Sequence, residues 1–171
     1  LAGVLKDEPD YLAMNAYLLM NKFPGSDAPM AKIMEGLDRA LELHPEHERA
    51  HESKAKMLQR LGRPAEALRH FKQVAANEKN SPAGRDARLF QGVCLLQLKQ
   101  FKEAEAVFKP LLEEIKEPVT IAQTAFYLGE ALSSQERFAE AVAAYARAGA
   151  VAAAPQWAAP AQFGLGWAQY R

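Results

Sequence analysis

Three histidines carry the one spacing in this sequence that points towards metal chemistry. His44, His47 and His51 form H-x-x-H-x-x-x-H, and the last two would share a helical face at i, i+4. Two imidazoles so placed can bind zinc, but a site needs a third or fourth ligand, for which Glu46, Glu48 and Glu52 are the neighbours in sequence. The segment spans a turn and the exposed start of a helix, where the same residues serve equally as solvated side chains, so no metal is expected. Cys94 cannot form an internal disulfide, being the sole cysteine, and nothing beside it in sequence would lower its pKa. It reads as a small buried thiol. There is no Gly-rich phosphate loop, no nucleophile elbow and no H-E-x-x-H. Carboxylates such as Glu113, three residues before Lys116, read as a solvated helix face. No catalytic residue and no cofactor are expected, and the chain reads as other than an enzyme.

Composition narrows the partners. The 21 basic and 21 acidic residues cancel, so the chain lacks the broad positive field on which nucleic-acid binding depends. No run of about 18 apolar residues exists to span a bilayer; the nearest candidate, Val142 to Ala154, is short and interrupted by Arg147. The 171 residues, 49% hydrophobic and 25% charged, fit one domain or one repeat array.

The elements that position these residues show themselves as a repeat. AKMLQRLGRPAEALRHFKQV, GVCLLQLKQFKEAEAVFKPL and GEALSSQERFAEAVAAYARA align without gaps, with leading small residues Ala55, Gly92 and Gly129 each 37 residues apart and Gly166 a further 37 on. Leu58, Leu95 and Leu132 follow at +3, Ala67, Ala104 and Ala141 at +12, Phe71, Phe108 and Tyr145 at +16, and Val74, Leu111 and Ala148 at +19. The first pair of positions shares one face of a helix, and the last three share one face of a second. Polar breaks lie between the two, at Gly62-Arg63-Pro64, Lys99-Gln100 and Glu136-Arg137, and Ser81-Pro82, Glu117-Pro118 and Pro155 separate successive hairpins. The small residue is needed where helices approach closely, and the aromatic fills the space between neighbouring hairpins. One hairpin cannot bury its apolar face alone, so stacking is obligatory. Pro110, well inside its predicted helix, is expected to kink or break it.

The pattern resembles the tetratricopeptide repeat, with a small residue in the first helix and Ala-x-x-x-aromatic in the second, over residues 46 to 171. It departs from that family in its period, 37 in place of 34, and in lacking the signature tryptophan, whose place His51, Arg88 and Ala125 hold. Lengthened repeats of this kind are similar to those of bacterial cell-envelope proteins, such as periplasmic partners of the Tol–Pal system and outer-membrane assembly lipoproteins. The resemblance implies an all-α fold, an α-solenoid of stacked antiparallel hairpins wound as a right-handed superhelix, with about nine helices. Residues 1–45 form an irregular N-terminal hairpin, with helices Asp10 to Phe23 and Ala28 to Leu43 around a turn at Pro24-Gly25-Ser26-Asp27. Residues 46–80, 83–117 and 119–153 are regular hairpins, and 156–171 is the first helix of a further repeat. A chain that opens on Leu1 and stops at Arg171 inside a repeat reads as part of a longer array.

In this family the first helices line a concave groove that holds a peptide, helix or loop of another protein. Carried onto this chain, the groove positions are Glu52, Lys56 and Gln59; Leu89, Val93 and Leu96; Phe126, Glu130 and Ser133; and Phe163, Trp167 and Tyr170. The stripe begins charged, becomes aliphatic and ends aromatic. Phe163, Trp167 and Tyr170 are of the kind that anchors a partner, with packing against a following helix the stronger alternative. The carboxylate clamp of chaperone-binding relatives is missing: no asparagine follows Asn80, and the basic groove residues Arg49, Lys56 and Arg60 are confined to one hairpin. The expected role is a protein-interaction scaffold; the alternative is a structural spacer or self-association module built on the alanine-rich segment Ala143 to Ala150.

Overall fold

The computed structural model describes residues 8–22, 27–78 and 81–171. These form nine α-helices and no strand among the described residues: α1 (Pro9–Lys22), α2 (Asp27–Leu43), α3 (Glu48–Arg60), α4 (Pro64–Asn77), α5 (Pro82–Gln97), α6 (Phe101–Glu114), α7 (Pro118–Ser133), α8 (Phe138–Gly149) and α9 (Ala158–Tyr170). The expected turn at Pro24-Gly25-Ser26 lies outside the described residues. Helices α1, α4, α5 and α7 each open on a proline, where the missing N–H costs no intrahelical bond. The chain divides into two compact units, an N-terminal one through Ala87 and a C-terminal one from Arg88.

The N-terminal unit packs α1 on α2, α3 on α4, and both helices of the first pair on α3. Its core gathers Ala13, Ala16, Ile33, Leu37, Ala40, Ala50 and Met57, with Leu12, Met30 and Met34 against it. Small alanines on α1 and α3 let the helices approach, and Ile33 and Leu37 fill the remaining space. Phe71, the aromatic of the first regular repeat, is wholly buried. At the end of the unit Ser81 binds both ways, its hydroxyl donating to the Glu78 carbonyl and accepting from the Gly84 amide, each at 3.0 Å. This caps α5 at the break read from the sequence.

In the C-terminal unit α7 pairs with α8, α8 with α9, and α6 lies against α7. The repeat positions are its core: Leu95, Ala104, Phe108, Leu111, Leu132, Ala141, Tyr145 and Ala148 are all at most 3% exposed. The glycines act as expected. A Cβ on Gly92 would stand 2.3 Å from Cε1 of Phe108, and one on Gly129 would stand 2.6 Å from Cε1 of Tyr145. Gly166 differs. A Cβ there would meet nothing within 4 Å, whereas one on Gly164, two residues earlier, would stand 2.6 Å from Cε1 and Cζ of the Tyr145 ring.

The three intra-hairpin turns share one geometry. Gly62, Lys99 and Glu136, again 37 residues apart, have φ of 68°, 59° and 61°. The next amide reaches back to the last-turn carbonyl in each: Arg63 to Leu58 at 2.9 Å, Gln100 to Leu95 at 2.9 Å and Arg137 to Leu132 at 3.0 Å. This is the left-handed helix ending in which glycine is the least strained residue. Ion pairs reinforce the last turn, where Glu105 takes Lys109 and Arg137 at 2.6 Å each and the Gln135 amide at 2.9 Å. Burial alone would push the Glu105 carboxyl up, but these three donors outweigh it and hold it at about 2.

Of the two outcomes expected at Pro110, the break does not occur. α6 runs through it to Glu114 without breaking. Pro110 and Ala106, whose carbonyl loses a donor, are both exposed, so that carbonyl is not sealed in the core.

Candidate partner-binding surface

The histidine cluster resolves into structural contacts. His47 is the N-cap of α3: its Nδ1 accepts from the Ala50 amide at 3.3 Å, which leaves Nε2–H to donate to Asp10 at 3.1 Å. His51 turns elsewhere, with Nε2 donating to the Pro45 carbonyl at 2.8 Å and Nδ1 lying 2.7 Å from Nδ1 of His70. His70 therefore supplies the proton of that contact. Burial, then the charges of Lys54 and His51, push its pKa down to about 4. Among the described residues no group of three or more His, Cys, Asp or Glu converges as a metal ligand set. Cys94 is wholly buried, and burial pushes its thiol up to about 11. No helix among the described residues is long and apolar enough to cross a membrane.

Most of the groove positions line depressions of the surface, and three of these carry the argument, one in the N-terminal unit and two in the C-terminal unit. In the first, of about 620 Å³, Glu52 and Lys56 of α3 meet Arg49, Ser53 and Arg60 of the same helix and Met14 and Tyr17 of α1. Glu52 and Lys56 pair with each other at 2.5 Å. Gln59 is half-buried and stays out of the lining. Met14 and Tyr17 carried no signal in the sequence, because the first hairpin lacks the small-residue landmark that sets the register elsewhere.

In the C-terminal unit Val93 and Leu96 of α5 and Phe126 and Glu130 of α7 line a depression of about 350 Å³, together with Gln97, Phe101, Tyr127 and Ser134. A second, of about 450 Å³, is lined by Glu130, Ser133, Ser134, Tyr145, Phe163, Gly164 and Trp167. Glu130 and Ser134 belong to both. Phe126 is held in an aromatic cluster, with ring centroids 5.6 Å from Tyr127, 5.8 Å from Tyr145 and 5.3 Å from Trp157. Trp157, on a 3-10 turn (Pro155–Trp157) before α9, was not foreseen; the sequence shows it only as a tryptophan after a proline break.

Exposure separates the stripe. Phe163, Trp167 and Tyr170 are 79%, 51% and 84% exposed, whereas Leu89 is 2% and Val93 9% exposed. Leu89 therefore cannot be an open groove residue: it belongs to the core, and Val93 offers only the edge of its side chain. The helical stripe predicted from spacing is wider than the face left open, since its first positions on α5, Leu89 and Val93, are buried. Tyr170 is open but lines neither depression.

Comparison with known proteins adds the following. Residues 53–115 match the tetratricopeptide repeat family. No curated protein matches the chain. Similar solved structures include YrrB, described as a TPR protein with an unusual peptide-binding site, at 20% identity and a TM-score of 0.74 over 96% of this chain and 78% of that one. MamA is similar at 14% identity and a TM-score of 0.62 over 82% of this chain and 87% of that one. An RS-1 ArsTM double mutant of MamA gives 16% identity and 0.71 over 96% of each chain. At these identities the likeness concerns the fold.

Proposed function

We propose that this chain, a tetratricopeptide-repeat protein by its residues 53–115 and its fold, is a protein-interaction scaffold that binds a peptide, helix or loop of a partner along the C-terminal unit. One observation carries the reading: two apolar and aromatic depressions adjoin at Glu130, and Phe163 and Trp167, which line the second, are open to solvent. Exposed aromatic side chains beside preformed depressions supply large contact area at low entropic cost, the property of interface anchors. The likeness to YrrB, itself described as binding a peptide, agrees in kind. The N-terminal depression, with Arg49, Lys56 and Arg60 beside Glu52, is a more polar surface that would contact an acidic part of a partner.

The test is affinity capture from source lysate with wild type, a Leu96→Glu/Trp167→Glu variant carrying one change in each depression, and Val119→Glu, an exposed change on α7 outside both. The reading expects partners held by wild type and Val119→Glu and lost from the double variant. Equal retention by all three would place the functional surface elsewhere. A second reading has its own support: Ala139, Ala143, Ala146 and Ala150 of and beside α8 are exposed, small enough for another helix to come close. Self-association through that face would show as a dimer by sedimentation that Ala143→Glu abolishes; a monomer at all concentrations removes it.

A further inference from the structure

We propose that the C-terminal surface selects a segment carrying one arginine or lysine between bulky apolar side chains, with Glu130 receiving the cation. This rests on the reading that the two depressions bind a partner segment, and names the chemistry of that segment. Glu130 lines both depressions and is the one charged residue in the lining of either. It is half-buried, and Oε1 accepts a hydrogen bond from the Tyr145 hydroxyl at 2.5 Å. No lysine, arginine or histidine among the described residues pairs with it. The contrast within the unit is Glu105, which takes two cations on its own surface.

A segment that covers these depressions strips water from Glu130. An all-apolar segment would leave the carboxylate buried without a counter-charge, which is strongly unfavourable. An acidic one would be repelled. A cation completes the site, so a single unpaired carboxylate acts as a filter against the other two classes. Arginine suits it best, because Phe126 and Tyr127 line one depression with Glu130 and Phe163 and Trp167 line the other, and a guanidinium stacks on aromatic rings while donating to a carboxylate. The Trp167 face already accepts one: the Arg171 guanidinium lies 5.4 Å from its ring centroid.

The experiment is selection of a random dodecapeptide phage library on the full chain, followed by affinities of one synthetic winner. Expected are sequences with a single arginine or lysine flanked by bulky apolar residues. Replacing that basic residue by glutamine should weaken binding about tenfold, as should Glu130→Gln, and the two together should also lose about tenfold, not a hundredfold. Glutamine still accepts from Tyr145, so the fold, checked by the melting curve, is kept. Glu103→Gln, exposed on α6, should leave affinity unchanged. Winners that depend on Leu96 and Trp167 but carry no basic residue, or that bind Glu130→Gln as well as wild type, overturn the proposal and leave the binding surface standing. If no peptide responds to Leu96→Glu/Trp167→Glu, the underlying reading falls and the proposal with it.

Discussion

Alanine at Gly129 should destabilise the protein, while alanine at Gly36 should stabilise it, although both glycines lie inside helices. A Cβ on Gly36 of α2 meets nothing within 4 Å. That change registers only the helical preference of alanine over glycine, a gain of about 0.8–1 kcal/mol. A Cβ on Gly129 of α7 would stand 2.6 Å, 2.7 Å and 3.0 Å from Cε1, Cδ1 and Cγ of Tyr145. The ring has nowhere to retreat. A Cβ on Gly164 of α9 would stand 2.6 Å from its Cε1 and Cζ, so α9 is already in contact, and Glu130 holds the hydroxyl at 2.5 Å. Overfilling such an interior costs about 1–3 kcal/mol. Set against the helical gain of about 1 kcal/mol, the net is a loss of up to about 2 kcal/mol. Contact of the ring with both α7 and α9 places it in the upper part of that range. Tyr145→Ala removes the obstacle, so in that background Gly129→Ala should become stabilising, with a coupling of about 1–3 kcal/mol between the two sites. Urea unfolding of the four variants gives the cycle. The chain's two tryptophans, Trp157 and Trp167, both lie in the C-terminal unit, so their fluorescence reports it directly, while far-UV circular dichroism follows Gly36→Ala in the N-terminal unit. A Gly129→Ala midpoint raised as far as that of Gly36→Ala, at unchanged slope, would refute the claim that glycine sets the approach of α7 to the tyrosine.

Two further outcomes follow from local geometry. Gly62→Ala should cost about 1–2 kcal/mol, since its φ of 68° lies in the left-handed region and a Cβ there meets no neighbour that could compensate. Lys99→Gly and Glu136→Gly should each gain a few tenths of a kcal/mol to about 1, the relief being partly returned to the unfolded chain; melting curves check all three, and one sign throughout would contradict the shared turn geometry. The folded state keeps His70 neutral down to about pH 4, against an ordinary 6.5, so its contribution is complete above about pH 6.5 and is lost as pH falls from there to 4. The full shift would amount to about 3 kcal/mol, which solvent screening of a partly exposed ring reduces to about 1–2. His70→Gln should flatten the stability profile in that window, and an unchanged slope between pH 6.5 and 4 would remove the assignment.

The hairpins were legible because their determinants are local and recur. Small residue, leucine, alanine and aromatic stand at fixed offsets, and each offset corresponds to a contact: Gly92 on Phe108, Gly129 on Tyr145. The turns were legible only in part. Gly62 announces a left-handed residue, but Lys99 and Glu136 reach the same φ through the register alone, and neither residue type favours it. Propensity loses there to the five-residue closure that joins two helices. The first hairpin shows the converse. Without a small-residue landmark its helices could be found from periodicity, but its contribution of Met14 and Tyr17 to a depression could not.

The candidate surface was less legible than the fold, for a geometric reason. Spacing on a helix fixes which side chains share a stripe, but how wide the open part is depends on what lies across from it. Leu89, Val93 and Leu96 share one stripe of α5, yet Leu89 is covered, Val93 shows an edge and Leu96 lines a depression. The same reasoning explains why Glu130 stood out only in three dimensions. In sequence it is one acidic residue among 21. In the folded chain the other interior carboxylate of the unit, Glu105, has drawn two cations to itself, while Glu130 faces aromatic rings and a tyrosine hydroxyl that cannot neutralise it. Unpaired charge beside open apolar surface is costly to cover with anything but a cation, so the most informative residue of this surface is the one whose partner the chain itself does not supply.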